Sequence, residues 1–221
     1  NTIASGASGM NGGFCSSGWS LDQLNIEKKL GLKKSKEFFQ ISMNGLNWMK
    51  SVCKNCSFSI SQFKEGILSV YFSKKIDHLE FLNNKFNADY GVNNIFLKKE
   101  NFSKQINSPI YSSGTLDPEA FQFNPLNVML TIAEKLNRDN KSIFEFSKVK
   151  KITKKKAEFH VLISNGGLIK ARRVVLATGG YLSKISGIYL NKKLFKLTTS
   201  ISVTEPLSAN LIKNYISTSY G

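Results

Sequence analysis

Three stretches of this 221-residue chain combine residue types and spacings that could do chemistry. The first is Ala7-Ser8-Gly9-Met10-Asn11-Gly12-Gly13, preceded by Ala4, Ser5 and Gly6. Successive backbone N–H groups without bulky side chains can form an anion-binding concavity. The stretch is too glycine-rich for a stable helix. A disordered terminus is the plain alternative, but Phe14, Trp19 and Leu21 follow at once, which predicts a loop held between ordered parts. The second stretch is Arg172-Arg173-Val174-Val175-Leu176-Ala177-Thr178-Gly179-Gly180-Tyr181. Its unbroken apolar run suits a strand covered on both faces, and it empties into small residues. Open α/β sheets bind nucleotides at such a carboxyl end; a core strand followed by an ordinary turn reads equally well. The third is Cys53-Lys54-Asn55-Cys56, which has redox or zinc half-site spacing. It lacks a second pair, and His78 and His160 are isolated, so a structural role is expected.

Composition narrows the classes. The net charge of +16 suggests nucleic acid or an acidic membrane as partner. All but three of the 31 basic residues are lysine, however, the exceptions being Arg138, Arg172 and Arg173. Bidentate recognition of phosphates and bases favours arginine. The runs Lys33-Lys34, Lys74-Lys75, Lys98-Lys99, Lys150-Lys151, Lys154-Lys155-Lys156 and Lys192-Lys193 are spread along the sequence and read as solvated faces, so no nucleic-acid partner is expected. Three cysteines make no disulfide framework, which points to a reducing, cytoplasmic setting. No apolar run approaches the roughly 20 residues that span a bilayer, so no transmembrane segment is expected.

Several elements must position these stretches. Leu21 to Leu32 suits a helix, with Asp22 near its start and Gly31 at its end. A second helix is expected over 36–52, with Phe38, Ile41, Gly45, Trp48, Met49 and Val52 as its core stripe. Phe58 to Ser61 and Gly66 to Tyr71 read as strands, joined near Lys64-Glu65-Gly66. Ile76 to Phe86 reads as a helix closed by Tyr90-Gly91. Residues 87–118 carry little periodicity beyond a weak helical stretch from Lys99 to Ile106, so loops and edge strands are expected there. Asn124-Pro125 is a cap followed by a first-turn proline, opening a helix whose apolar face is Leu126, Met129, Leu130, Ala133 and Leu136. Strands are then expected at Ile143 to Phe146, Val149 to Thr153, Ala157 to Ile163 and Leu168 to Ala171. Asn165-Gly166 is a hairpin signal between the last two. Ile201 to Thr204 alternates like a strand before Glu205-Pro206. Helix, meander and buried strand in that order describe half of a dinucleotide-binding domain.

In this order the pieces resemble the FAD-dependent oxidoreductases of the D-amino acid oxidase superfamily, in particular the amine-oxidising group similar to gamma-glutamylputrescine oxidoreductase. Residues 7–13 resemble that group's A-S-G-R-N-G-G loop, and Asn124-Pro125-Leu126 its H-P-L-K helix start. Val149 with Val174-Val175-Leu176-Ala177-Thr178 resembles the V-x-x-I…V-V-L-A-T pattern, and Thr204-Glu205-Pro206-Leu207 the T-E-P-L strand. Met10, Asn124 and Gly179-Gly180 depart from the pattern's arginine, histidine and Asn-Ala. The G-x-G-x-x-G opening is not in the sequence, so the resemblance implies an internal fragment.

The resemblance implies an α/β (α+β mixed) fold. A partial FAD-binding Rossmann-like domain with a β-meander would comprise 1–50 and 124–189, and an antiparallel-sheet substrate domain 51–123 and 190–221. It implies FAD as cofactor and oxidation of a C–N bond of an amine or amino acid by hydride transfer, with hydrolysis of the resulting imine. The partners are then a small-molecule amine and oxygen or a quinone as electron acceptor. Ser8, Gly9, Met10, Asn11, Gly12 and Gly13 would lie against the flavin. Val149 would meet the adenine side, or else serve only as a meander core residue. Ala177, Thr178 and Gly179 would lie beside the dinucleotide. No catalytic residue is implied, because the cofactor carries the redox chemistry. The competing readings are a basic RNA-interacting protein and a non-catalytic flavoprotein-like module.

Overall fold

A computed structural model of the chain describes residues 2–72, 74–139, 142–182, 195, 197–218 and 220. Lys192-Lys193, Leu194 and the remainder of 183–194 lie outside the described residues. The chain divides into two compact units, one of residues 6–132 with 203–221 and the other of 1–5 with 133–202. Helices and antiparallel sheets are mixed, as the sequence predicts.

The larger unit is built on a four-stranded antiparallel sheet in which β4 (Ser113–Gln122) is central. It pairs with β1 (Phe14–Cys15), β2 (Lys64–Tyr71) and β3 (Ile95–Leu97). The expected turn at Lys64-Glu65-Gly66 therefore lies inside β2. Within residues 87–118, β3 is an edge strand and the short helix α5 (Lys99–Phe102) falls in the expected helical stretch, but the first half of the central strand, which is no edge, lies there too. What hides β4 in the sequence is Pro118, which cannot donate to a ladder. The strand accommodates it in an irregularity: Glu65 faces Phe121 and Ile67 faces Asp117, with the register shifting between them. There Asp117 Oδ1 accepts the N–H groups of Glu119 and Ala120 at 3.0 and 3.1 Å. A bulge of this kind is where a strand tolerates proline.

Helix α1 (Gln23–Leu30) starts at Asp22, whose carboxylate accepts from Leu24 and Asn25 N–H. Gly31 separates it from α2 (Leu32–Asn55), and α4 (Ile76–Tyr90) ends at Gly91. The core stripe of α2 is not the expected one: Phe38, Ile41 and Trp48 are 44%, 57% and 64% exposed. Instead Phe39, Leu46 and Cys53 are buried, seven residues or two helical turns apart. Only Met49 and Val52 of the expected stripe pack at the core edge. The helix is rotated by about one residue because its inward face must meet β4 and α6 (Pro125–Arg138). There Leu46, Cys53, Cys56, Phe121 and Val128 form the core.

Residues Phe58–Ser61 are a single helical turn, α3, and not a strand. Ser57 Oγ accepts from Ile60 N–H, a local bond that competes with strand pairing. Phe58 stacks on Phe63, which packs against Phe121, at centroid separations of 4.6 and 4.8 Å.

In the smaller unit, β5 (Val149–Lys155), β6 (Glu158–Ile163) and β7 (Leu168–Ala171) make the expected meander. Asn165 and Gly166 turn between the last two, with Gly166 N–H donating to Ile163 O at 3.1 Å. Three further expected strands are not formed. Residues Ile143 to Phe146 run into a turn in which Phe146 takes a φ of +53°. Val174 to Ala177 and Ile201 to Thr204, the latter at the boundary of the two units, have no ladder partner among the described residues, and Val175 and Val203 are 88% and 89% exposed. A strand is defined by its neighbours, and an apolar run alone cannot supply them. A seven-residue helix, α7 (Ala209–Tyr215), follows near the end.

Two consequences are measurable. Cys53 is fully buried, and burial, followed by the neighbouring Cys56 and Cys15, pushes its thiol up to about 11. At about pH 8 an aromatic disulfide reagent should titrate Cys53 and Cys56 only after unfolding; rapid reaction of both in the native protein would contradict the packing. Glycine replacements should separate by site. Gly45 is exposed within α2 with open space at its Cβ position, so Gly45→Ala should stabilise by about 0.5–1 kcal/mol. Gly13 has a φ of +68°, and a Cβ there would lie 1.9 Å from Phe123 O. Gly13→Ala should therefore cost more than about 1 kcal/mol in denaturant titration.

Candidate functional site

The glycine loop folds on itself. The Gly9 and Met10 N–H groups donate to Gly6 O at 3.1 and 3.2 Å. Asn11 works in both directions: its Nδ2 donates to Ala7 O and Ser8 O at 2.9 and 3.1 Å, while its Oδ1 accepts from Gly13 N–H at 2.9 Å. The N–H groups of Gly9, Met10 and Gly13 are thus spent inside the loop. The anion-binding concavity expected of a bare glycine run is not formed from these three, because the asparagine carboxamide has taken its place as organiser.

The loop is fixed where β4 ends. Phe123 N–H donates to Gly13 O at 2.9 Å, and Gln122 Nε2 reaches Gly12 O at 3.5 Å. The next residue, Asn124, is the cap of α6: its Oδ1 accepts from Asn127 N–H at 3.0 Å. The same side chain donates from Nδ2 to Gln62 Oε1 at 3.1 Å, and its N–H donates to Ser61 O at 2.6 Å. One short stretch therefore joins the loop, the sheet, α3 and α6.

Beside this junction lies a cavity of about 430 Å³ lined by Gly9, Asn11, Gln62, Lys64, Gln122 and the start of α6 at Phe123 to Leu126. The polar side chains among its lining residues are carboxamides and one ammonium, and none of the described carboxylates lines it. Lys64 and Gln122 are cross-strand partners, as are Gln122 and Phe14, so the row ends beside Gly12. Gln62, Lys64 and Gln122 escape motif reading because they come from two segments some sixty residues apart and meet only through the β2–β4 pairing. Of the residues read from sequence, Gly9 and Asn11 line the cavity, and Ser8, Gly12 and Gly13 hold the loop. Met10 is 69% exposed and does not line it.

The remaining expected residues belong to the smaller unit. Val149 opens β5 opposite Ile163. Ala177 lies in the unpaired segment, Thr178 takes a right-handed helical conformation, and Gly179, with a φ of +53°, starts a short 3-10 turn over Gly179–Tyr181. His160 is held by Glu158 at 2.8 Å. Among the described residues no group of histidine, cysteine, aspartate or glutamate could hold a metal ion. None of the described helices is long and apolar enough to cross a membrane.

Residues 1–220 match the family described as "FAD dependent oxidoreductase" (DAO). The chain is 24% identical over 219 residues to gamma-glutamylputrescine oxidoreductase of Escherichia coli K12, covering 99% of this chain and 51% of that protein. It is also 24% identical over 189 residues to the probable oxidoreductase OrdL of Rhizobium meliloti, covering 83% and 43%. The chain thus spans about half the length of the curated relatives it matches. Among solved structures, glycine oxidase from Bacillus cereus superposes with a TM-score of 0.61 at 16% identity over 86% of this chain and 49% of that one. Glycine oxidase from Geobacillus kaustophilus gives 0.63 at 14%, over 80% and 46%. These likenesses concern the fold. FAD is the cofactor of the family, and the cavity's chemistry fits one edge of it: neutral carboxamides offer both donors and acceptors, and only Gly9 and Asn11 of the loop stand at its wall. The chain belongs to the FAD-dependent oxidoreductase (DAO) family.

Proposed function

We propose that this chain is part of an oxidoreductase acting on the C–N bond of an amine or amino acid. In that reaction the carbon next to nitrogen loses a hydride and the imine so formed is hydrolysed by water. The observation that carries this reading is the family match across residues 1–220, which takes in the glycine loop and every residue lining its cavity. The relatives' names, an oxidoreductase of gamma-glutamylputrescine and two glycine oxidases, supply the substrate class. FAD, when bound, supplies the two-electron acceptor, and oxygen or a quinone would take the electrons onward.

The chain's own residues then bind and orient. Asn11 locks the loop, so that Ser8 to Gly13 present a surface of fixed shape instead of a flexible tether. Gln62, Gln122 and Asn124 provide neutral hydrogen-bonding groups around a polar ring edge, and Lys64 places the one positive charge at that wall. Val149, Ala177, Thr178 and Gly179 are assigned to the dinucleotide. The flavin part is assigned to 1–50 and 124–189, the substrate part to 51–123 and 190–221. Cys15, Cys53 and Cys56 are free thiols, which supports a cytoplasmic setting.

The test is a visible absorption spectrum of the protein expressed from its full reading frame. Flavin bands should be present and should bleach anaerobically on adding a primary or secondary amine or an amino acid. A colourless, folded protein that does not take up added FAD would overturn the reading. A yellow protein indifferent to amines and amino acids would keep the cofactor and remove the substrate class.

A further inference from the structure

A second cavity, of about 260 Å³, lies between α1, α4 and the β2–β4 face, and shares no lining residue with the one beside the glycine loop. Leu24, Leu79, Leu82, Phe86 and the rings of Tyr71 and Tyr90 supply its apolar wall, and Asp22, Asn83, Lys85, Asn94 and Thr115 stand among them. Gln23 also lines it, and Gln23 is only 8% exposed.

The polar groups behind this wall form a chain with a fixed direction. Gln23 Nε2 sits 3.1 Å from Ser35 O and 2.7 Å from Ser35 Oγ. A carbonyl oxygen can only accept, so the amide nitrogen must face Ser35 and the amide oxygen must face away. Tyr90 OH donates to Glu27 Oε2 at 3.0 Å, so Ser35 Oγ donates to Tyr90 at 2.8 Å. Lys85 is committed to Asp89 at 2.6 Å and to Glu27 at 3.4 Å. Asp22 is committed to the first N–H groups of α1. Every donor of this chain of bonds thus runs toward Glu27, and Gln23 Oε1 is left buried without a partner among the described residues. Buried acceptors are seldom left unmet in proteins.

We propose that this cavity is a binding site for a small amphiphile, an apolar body about the size of one aromatic ring carrying an N–H or O–H donor that Gln23 Oε1 accepts. The size follows from comparison with cavities of about 150 Å³, which take up benzene. The donor follows from the buried, unmet Gln23 Oε1, and the apolar body from the leucine, phenylalanine and tyrosine side chains of the wall. The site is independent of the proposed redox function and stands or falls without it.

The probes are phenol and toluene, which have nearly the same shape and differ in the donor. Titrated into the protein and followed by amide NMR shifts, phenol should saturate shifts on α1 and α4 and bind about fivefold tighter than toluene, the effect of one satisfied hydrogen bond. In Gln23→Met the preference for phenol should disappear while toluene still binds. Leu82→Trp, which fills the cavity without touching the polar chain, should abolish binding of both and keeps the test decisive if the Gln23 variant does not fold. Absence of binding by either probe, equal affinity for the two, or shifts located away from α1 and α4 would overturn the proposal.

Discussion

The larger unit depends on the contact between Gly13 and Phe123. Two backbones approach there so closely that only a glycine in a left-handed conformation fits, and the Phe123 N–H bond to Gly13 O closes the approach. From that point the consequences run in both directions along the chain. On one side the bond delivers β1 to the edge of β4 and holds the glycine loop at the end of the sheet. On the other, Asn124 follows at once, caps α6 and binds Ser61 and Gln62. Phe121, two residues earlier, is fully buried against Leu46, Cys53 and Val128. Loop, cap and core are therefore one construction.

How much of this was legible depends on whether a residue's signal is local. Asp22 and Asn124 announce their helices because a cap satisfies N–H groups only two or three residues away. Asn165-Gly166 announces its hairpin for the same reason. The loop at 7–13 was readable as a unit because Asn11 ties it within its own length. Central strand β4 was not, since Gly114 and Pro118 read as breakers and the bulge that admits the proline is made jointly with Glu65 to Ile67. The stripe on α2 was misread because helical spacing gives a face but does not say which of two adjacent faces meets the sheet. Phe38 and Phe39 are neighbours; Phe39 is buried and Phe38 half-exposed.

The site divides along the same line. Gly9 and Asn11 were identified from a motif, whereas Gln62, Lys64 and Gln122 join them only through pairing across strands. The expected apolar strand at Val174 to Ala177 shows the limit most directly. Its composition suits burial on both faces, yet burial is conferred by neighbouring strands, and none of the described residues pairs with it. The chain spans about half the length of the curated relatives it matches.

The separation between the two sides of the Gly13–Phe123 contact has a kinetic meaning. Gly12 and Gln122 lie 110 residues apart in sequence, so the loop cannot take its final shape until the chain between them has closed. Long-range closures of this kind carry an entropic cost that is recovered only when the central strand docks. The helical hairpin of α1 and α2 and the β5–β7 meander are local and can form early. The glycine loop and the cavity wall it supplies are therefore among the last parts of the larger unit to exist, so a chain still folding presents no finished wall there.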